Sequence, residues 1–401
     1  MDEGSSCWKQ NLKVAWIGNF LTGVSFTLVM PFISVFVEEL GVTGSQVEYF
    51  AGLAVSTNAL AAAIMAPIWG SLADRYGRKP MMVRAAFAMI FTMGGMAFVP
   101  NVFWMIVLRV LNGIFTGYIP NATALVASQV PKDKTGYALG TLSTGAVAGN
   151  LIGPTLGGFL AEIVGIHNVF LLVGLLYLLV AVLTVLYIRE DFKPMEKGQQ
   201  MMIAELFHQI KDKQMMVGLF ITSMIIIAAA QAIVPILTLY VRHLGQTDNL
   251  LFVAGFIISL PGMASLVTSG PLGKLGDRIG NHRLLLMALA YSLLINVLCV
   301  FAQSPFQLGV LRFLYGFGTG ALLPSVNSLL TKLTPKEGIS RIFSYNQIFN
   351  NLGSVVGPMI GSTTAAHLGY DWVFYVSSAL VLFNLIWSLV NFRNYLKVRE
   401  V

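Results

Sequence analysis

GSLADRYGRK, residues Gly70–Lys79, decides the fold, because it returns as GKLGDRIGNH at Gly273–His282. The offset is 273 − 70 = 203. RVLNGIFTG (Arg109–Gly117) returns as RFLYGFGTG (Arg312–Gly320) at the same offset. After a one-residue insertion, PKDK at Pro131 matches PKEG at Pro335, and GNLIGPTLGG (Gly149–Gly158) matches GSVVGPMIGS (Gly353–Ser362), both at 204. Chance likeness between apolar segments would not hold Gly, Asp, Arg and Pro in register. The chain is a duplication. A parallel duplication within a membrane implies two bundles related by an axis along the membrane normal, with a substrate path between them.

Composition places the duplicated unit in a bilayer. Hydrophobic residues make up 56% of the 401 positions and charged residues 11%, against roughly a quarter charged in soluble domains. Mean hydropathy is +0.74. With ~20 apolar residues per crossing, the sequence predicts an all-α membrane protein with spans at 12–37, 47–72, 81–99, 102–130, 136–162, 168–188, 215–241, 250–273, 283–302, 306–331, 339–366 and 370–392. These twelve helices form two pseudo-symmetric six-helix bundles, 1–188 and 215–401, joined by a hydrophilic loop at 189–214. Within that loop Met202–Ile210 is weakly amphipathic and suited to the membrane surface.

Orientation follows from the basic residues. Of 25 Lys and Arg, all but Arg109, Arg242 and Arg312 fall on the side holding both termini, which leaves 22 there. Arg84 is counted among these as a boundary charge. The positive-inside rule puts both termini and the central loop in the cytoplasm of a multi-pass cell-membrane protein. No cleavable signal precedes the first span. Net charge +7 is spread between spans, so it forms no basic face for nucleic acid. Cys7 and Cys299 are too few and too far apart for a disulfide framework or a metal cluster. No phosphate-binding GxxxxGK[ST] loop and no nucleophile constellation occurs, so an enzyme is not expected, nor a cofactor.

The repeated segments carry the expected mechanism. Gly70 and Gly77 suit close helix approach and a turn with φ > 0. Asp74 is placed to meet a helix N-terminus or an Arg, with Asp277 as its counterpart, while Arg75, Arg78 and Lys79 suit anionic headgroups. This segment is expected to be a gating latch. Arg109 lies inside a span, where a lone charge costs at least a few kcal/mol and marks a cavity or a partner. Arg312 starts only a turn or two into its span, which leaves open both a buried role and snorkelling outward. Gly149, Gly153, Pro154 and Gly157, with Gly353, Gly357 and Pro358, suit backbone-to-backbone packing with a proline that permits a kink, hence a hinge. Asn19, Thr22 and Phe26 share a face of the first span. With Phe115, Tyr118, Gln231, Tyr315, Asn346, Asn350 and Asn351 they are the candidate substrate cavity, and eighteen methionines add deformable surface.

With these residues in view, the chain resembles the major facilitator superfamily over essentially its whole length. GSLADRYGRKP resembles the signature between spans two and three, LRVLNG the span-four motif, and GNLIGPTLGG the antiporter motif of span five. The last is associated with the twelve-span drug:proton antiporter branch. The resemblance implies export of hydrophobic, often cationic drugs and fluoroquinolones against a proton gradient, by a protein expected to act as a monomer. The sequence departs from the branch in one respect. Glu38, Glu39, Glu48, Glu162, Asp248 and Asp371 all fall at external ends, and where a quinolone exporter of the branch has carboxylates, this chain has Gln231 and Gly320. Three readings stay open: a boundary carboxylate such as Glu38 or Glu162 projects into the cavity, Asp74 is protonated with Arg109 as the fixed charge, or the transport is something other than proton antiport. Transport of a native metabolite, sugar or lipid, or a non-transporting sensor, stays open at this stage.

Overall fold

The computed structural model describes residues 3–131, 134–192, 212–335 and 338–392. The amphipathic stretch Met202–Ile210 lies outside the described residues, as do Lys132, Lys193, Lys197, Lys211, Lys336, Arg393, Lys397 and Arg399.

Every regular element among the described residues is helical. That is the expected answer to a bilayer, where each backbone polar group must be satisfied within its own segment. The first half runs α1 (Glu3–Leu28), α2 (Ile33–Glu39), α3 (Gln46–Tyr76), α4 (Arg78–Gly95), α5 (Val102–Phe115), α6 (Tyr118–Gln129), α7 (Thr135–Val164) and α8 (Ile166–Tyr187). The second runs α9 (Lys213–Gln231), α10 (Leu237–His243), α11 (Leu250–Ile279), α12 (Asn281–Cys299), α13 (Pro305–Leu333), α14 (Ile339–Leu368) and α15 (Tyr370–Asn391). Eleven of the resulting segments are long and apolar enough to cross a membrane. The twelfth, α14, has 30 residues and so a length of ~45 Å, but Arg341, Asn346, Gln347, Asn350 and Asn351 make it more polar.

Three spans read as continuous are interrupted. The first passes from α1 to α2 through a 3-10 turn at Met30–Phe32, and the seventh from α9 to α10 through Val234–Ile236. Pro31 and Pro235, 204 residues apart, supply the cause, since proline lacks the N–H and crowds the preceding turn. The fourth span breaks between α5 and α6 at Thr116–Gly117, where Gly117 takes φ 132°.

The chain packs as two compact units. One comprises Met1–Thr43, Thr57–Lys197 and Asp248–Ser259, the other Gly44–Ser56, Gly198–Thr247 and Leu260–Val401. Each has its own core, one around Trp8, Met82, Tyr118, Leu125 and Val180, the other around Met216, Phe220, Leu285, Leu322 and Leu330. Outward-facing apolar side chains such as Phe91, Phe98 and Phe306 are 72%, 75% and 80% exposed. In water that would be a liability, while in a bilayer it is the lipid contact.

Glycine decides how closely helices approach. In the first unit a Cβ added at Gly145 would meet the Trp16 carbonyl oxygen at 2.7 Å, and at Gly149, Gly153 and Gly157 it would collide with Phe20, Thr27 and Leu28. Helix α7 therefore lies backbone to backbone on α1. In the second unit Gly353, Gly357 and Gly361 press on Met224, Ala228 and Ala232, so α14 lies on α9 in the same way. Both α7 and α14 run unbroken through Pro154 and Pro358.

Candidate functional site

The turn at Gly77 joins α3 to α4 with φ 103°, and Gly280 repeats it between α11 and α12 with φ 98°. Only glycine adopts that geometry without strain. Gly70 differs from expectation: a Cβ there would meet nothing within 4 Å, so no close approach requires it. Asp74 pairs with Arg78 four residues on, across the Gly77 turn. The α4 N-terminus is capped instead by Glu190, whose two carboxylate oxygens accept from the backbone N–H groups of Arg78 at 2.8 Å and Lys79 at 2.7 Å. Lys79 Nζ donates to the Val185 carbonyl, and Arg75 lies 5.3 Å from the Tyr76 ring. Glu190, read from sequence as part of the linking loop, thus holds the start of α4 at the Gly77 turn. Its neighbour Arg189 is held by Asn11 and Gln129, which fixes where the eighth helix ends.

Arg109 on α5 is 2% exposed. Around it lies a buried polar chain across three helices. Asn58 Nδ2 donates to the Arg109 carbonyl at 3.0 Å and to Asn112 Oδ1 at 2.8 Å, and Asn112 Nδ2 donates to Thr92 Oγ1 at 3.1 Å. The buried Tyr177 phenol of α8 lies within electrostatic reach of the guanidinium. Of the carboxylates considered for Arg109, Asp74 engages Arg78 and Glu162 accepts from the Leu251 N–H at 2.7 Å. Glu38 sits near the end of α2.

The break after α5 has its own partner. Arg84 Nη2 donates to the carbonyls of Phe115 and Thr116, both at 3.3 Å, and its guanidinium lies 3.4 Å from the Trp69 ring centroid. Trp69 Nε1 donates to the Ile114 carbonyl at 2.6 Å. Arg84 is therefore not a boundary anchor: it lies within α4 and satisfies carbonyls that the broken helix leaves over. The repeat gives the control. Arg84 corresponds to Met287 and Trp69 to Leu272 at offset 203, and α13 continues unbroken through Thr319 and Gly320. Where the arginine is absent, the helix is not broken.

The proposed cavity residues separate. Tyr118 is buried in the first unit's core, its hydroxyl 2.9 Å from Thr184 Oγ1 and its ring filling the space beside Gly18. It packs and does not line open space. Asn19 and Thr22 are buried, and with Ser25, which sequence reading passed over, they form a polar seam along α1. Phe26 is 40% exposed and Phe115 rests near Trp69. In the second unit Gln231 ends α9, just before the break at Val234. Asn346 is buried with Nδ2 3.5 Å from Asn327 Oδ1, and Asn350 and Asn351 lie one turn further on. Arg312 does not snorkel: it is 5% exposed, 5.3 Å from the ring of Tyr315, which is equally buried.

Two carboxylates at the other helix ends hold local contacts. Within the first unit Glu162 of α7 caps α11 at Leu251, Gly158 abuts Leu251, and Thr155 Oγ1 donates to Ser259 Oγ at 3.0 Å. Within the second, Glu48 accepts from the Tyr370 hydroxyl at 2.8 Å, Gly52 abuts Ser362, and Ser56 Oγ donates to the Val355 carbonyl at 2.7 Å. Glu48 was read as a loop-end charge and is in fact 8% exposed.

A chain of two related halves whose described elements are all helical, each half with a buried arginine on its fourth span, is a membrane transporter of the two-bundle class. The chain belongs to the Major Facilitator Superfamily, whose family model matches residues 15–295 and 219–395. It is 58% identical to the multi-drug resistance efflux pump PmrA of Streptococcus pneumoniae strain TIGR4, over 98% of this chain and 99% of that one. It is 52% identical to a PmrA homolog of Lactococcus lactis, and 47% to the multidrug resistance protein MdtG of Klebsiella pneumoniae over 96% and 94% of the two chains. Among solved structures, a bacterial homolog of the lysosomal transporter Spinster has the same fold, with TM-score 0.82 at 15% identity and 98% of each chain covered.

Proposed function

We propose that this chain is a secondary multidrug exporter and not an enzyme. It moves hydrophobic or cationic drug-like molecules and fluoroquinolones out of the cell in exchange for protons, by alternating access. The observation that carries the reading is full-length identity of 58% to a named efflux pump. The glycine seams of α7 and α14 support it: they give each half a closely packed helix pair with a buried proline among the seam glycines. In this reading Gly149, Gly153, Pro154, Gly157, Gly353, Gly357 and Pro358 form the hinges. Gly77, Asp74, Arg78 and Glu190 are the latch at one face, and Arg109 is the fixed charge that a protonatable carboxylate, Glu38 or Glu162, answers. Asn19, Thr22, Phe26, Phe115, Gln231, Tyr315, Asn346 and Asn350 are the residues proposed for substrate.

Both termini lie in the cytoplasm in this proposal, and the protein acts as a monomer. An impermeant thiol reagent then labels a cysteine at Asn249 from outside, and one at Lys197 only after cells are opened. Labelling of position 197 in intact cells contradicts the orientation. The functional test is loss of ethidium or norfloxacin from expressing cells, faster than in controls and abolished when the proton gradient is collapsed. Export that persists on a sodium gradient alone refutes proton antiport.

A further inference from the structure

The duplication has lost one ion pair, and a cavity stands where it was. In the first half Asp74 is neutralised by Arg78, four residues on. At offset 203 the second half has Asp277, but its partner position holds Asn281. Asn281 cannot neutralise a carboxylate. It is buried and donates through Nδ2 to Ser328 Oγ at 2.9 Å, folded over Gly276, where a Cβ would collide with it. No described side chain forms an ion pair with Asp277. Lys274 and Arg278, its nearest cations in sequence, are exposed and do not reach it.

Asp277, itself exposed, lines a cavity of about 180 Å³ formed by residues of the second unit, with Gly273, Asn281, Ser325 and Ser328 and apolar walls that include Leu284 and Pro324. Ser325 is 1% exposed and its hydroxyl has no hydrogen-bond partner among the described residues. A buried hydroxyl left without a partner is costly, and Ser325 lines the same pocket as an exposed carboxylate that no described side chain neutralises. The chemistry of the wall selects the ligand. One carboxylate and neutral oxygens favour a single positive charge, and the apolar wall favours carbon. At ~30 Å³ per water molecule, the volume is that of about six waters, far more than a bare metal ion fills.

We infer that this cavity is a binding site for small organic cations of the alkylammonium class, with Asp277 as the counter-ion and Ser325 and Asn281 as its polar lining. It is separate from the residues proposed above for the transported drug and does not rest on the efflux reading.

The test reads binding without transport. Gly273 lines the cavity and a side chain there would meet nothing within 4 Å, so Gly273→Cys, in a background with Cys7→Ser and Cys299→Ala, reports occupancy through its rate of alkylation by N-ethylmaleimide in purified protein. Tetramethylammonium is expected to slow alkylation, while sodium chloride at the same ionic strength does not. Asp277→Asn should raise the concentration needed for protection by ~10-fold or more, the usual loss with one charged hydrogen-bonding partner. Asp277→Glu should keep protection, and Asn281→Arg, which restores the first half's pair, should remove it without deleting the carboxylate. Equal protection by sodium, protection that survives both Asp277→Asn and Asn281→Arg, or no protection by tetramethylammonium overturns the site.

Discussion

Arg84→Leu removes the side chain that donates to the Phe115 and Thr116 carbonyls at the break in the fourth span. Its Nη2 makes one bifurcated, charged hydrogen bond to Phe115 and Thr116, long at 3.3 Å to each. A charged bond of this kind contributes about 1.5 kcal/mol. Its guanidinium on the Trp69 ring, at 3.4 Å, adds about 1–2 kcal/mol when partly desolvated. The loss is therefore about 3 kcal/mol. At ~2–4 °C per kcal/mol for a unit of roughly 200 residues, detergent-solubilised protein should melt ~6–12 °C lower. Arg84→Lys should recover part of this, because the charge remains while the planar stacking surface goes. Arg75→Leu is the control: Arg75 is exposed and should cost under about 1 kcal/mol. The assay is retention of the monodisperse peak after heating. If Arg84→Leu melts no lower than Arg75→Leu, Arg84 is only a boundary charge and the reasoning fails.

Three further outcomes follow from the geometry. Gly157→Leu drives a side chain into the Leu28 backbone, should cost about 1–3 kcal/mol by overpacking, and should lower export more than abundance; unchanged export would deny the α1–α7 seam any role. Asp74→Asn breaks the pair with Arg78 and should cut drug export at least several-fold at near-normal membrane abundance, whereas a parallel fall in abundance would make the residue structural. Arg109→Ala should abolish uphill export in a reconstituted system, with Arg109→Lys retaining a fraction, and wild-type uphill transport in Arg109→Ala would leave the residue a packing role alone.

The parts legible in the sequence were those that recur or follow hydropathy. The offset of 203–204 exposed the duplication, and apolar runs gave the spans. Asp74 stood out because an acid at a membrane boundary needs a partner, and it has one in Arg78. What stayed hidden depended on partners distant along the chain. Glu190 is 112 residues from the Arg78 N–H it caps, and nothing in its own neighbourhood distinguishes it from a solvated loop acid. Glu48 and Tyr370 are 322 residues apart. Tyr118 carries the signature of a cavity aromatic, but Gly18 makes room for its ring inside the core, a fact of packing and not of pattern. The fourth-span break was half legible: Gly117 was visible, but Gly320 in the same motif leaves its helix intact. Only the comparison of Arg84 with Met287 tells the two apart, and it required knowing that α4 lies beside the break. Pro31 and Pro235 were a signal not used, since prolines at the same repeat position, each within an apolar run, mark a shared interruption.

The central claim, proton-driven drug export by this chain, is most directly tested with purified protein in proteoliposomes carrying an imposed pH gradient. Ethidium should accumulate against its own gradient in vesicles acid inside, stop when a protonophore is added, and drive measurable proton movement in the opposite direction. Ethidium movement that is only downhill, or that is the same with and without the pH gradient, would contradict the account.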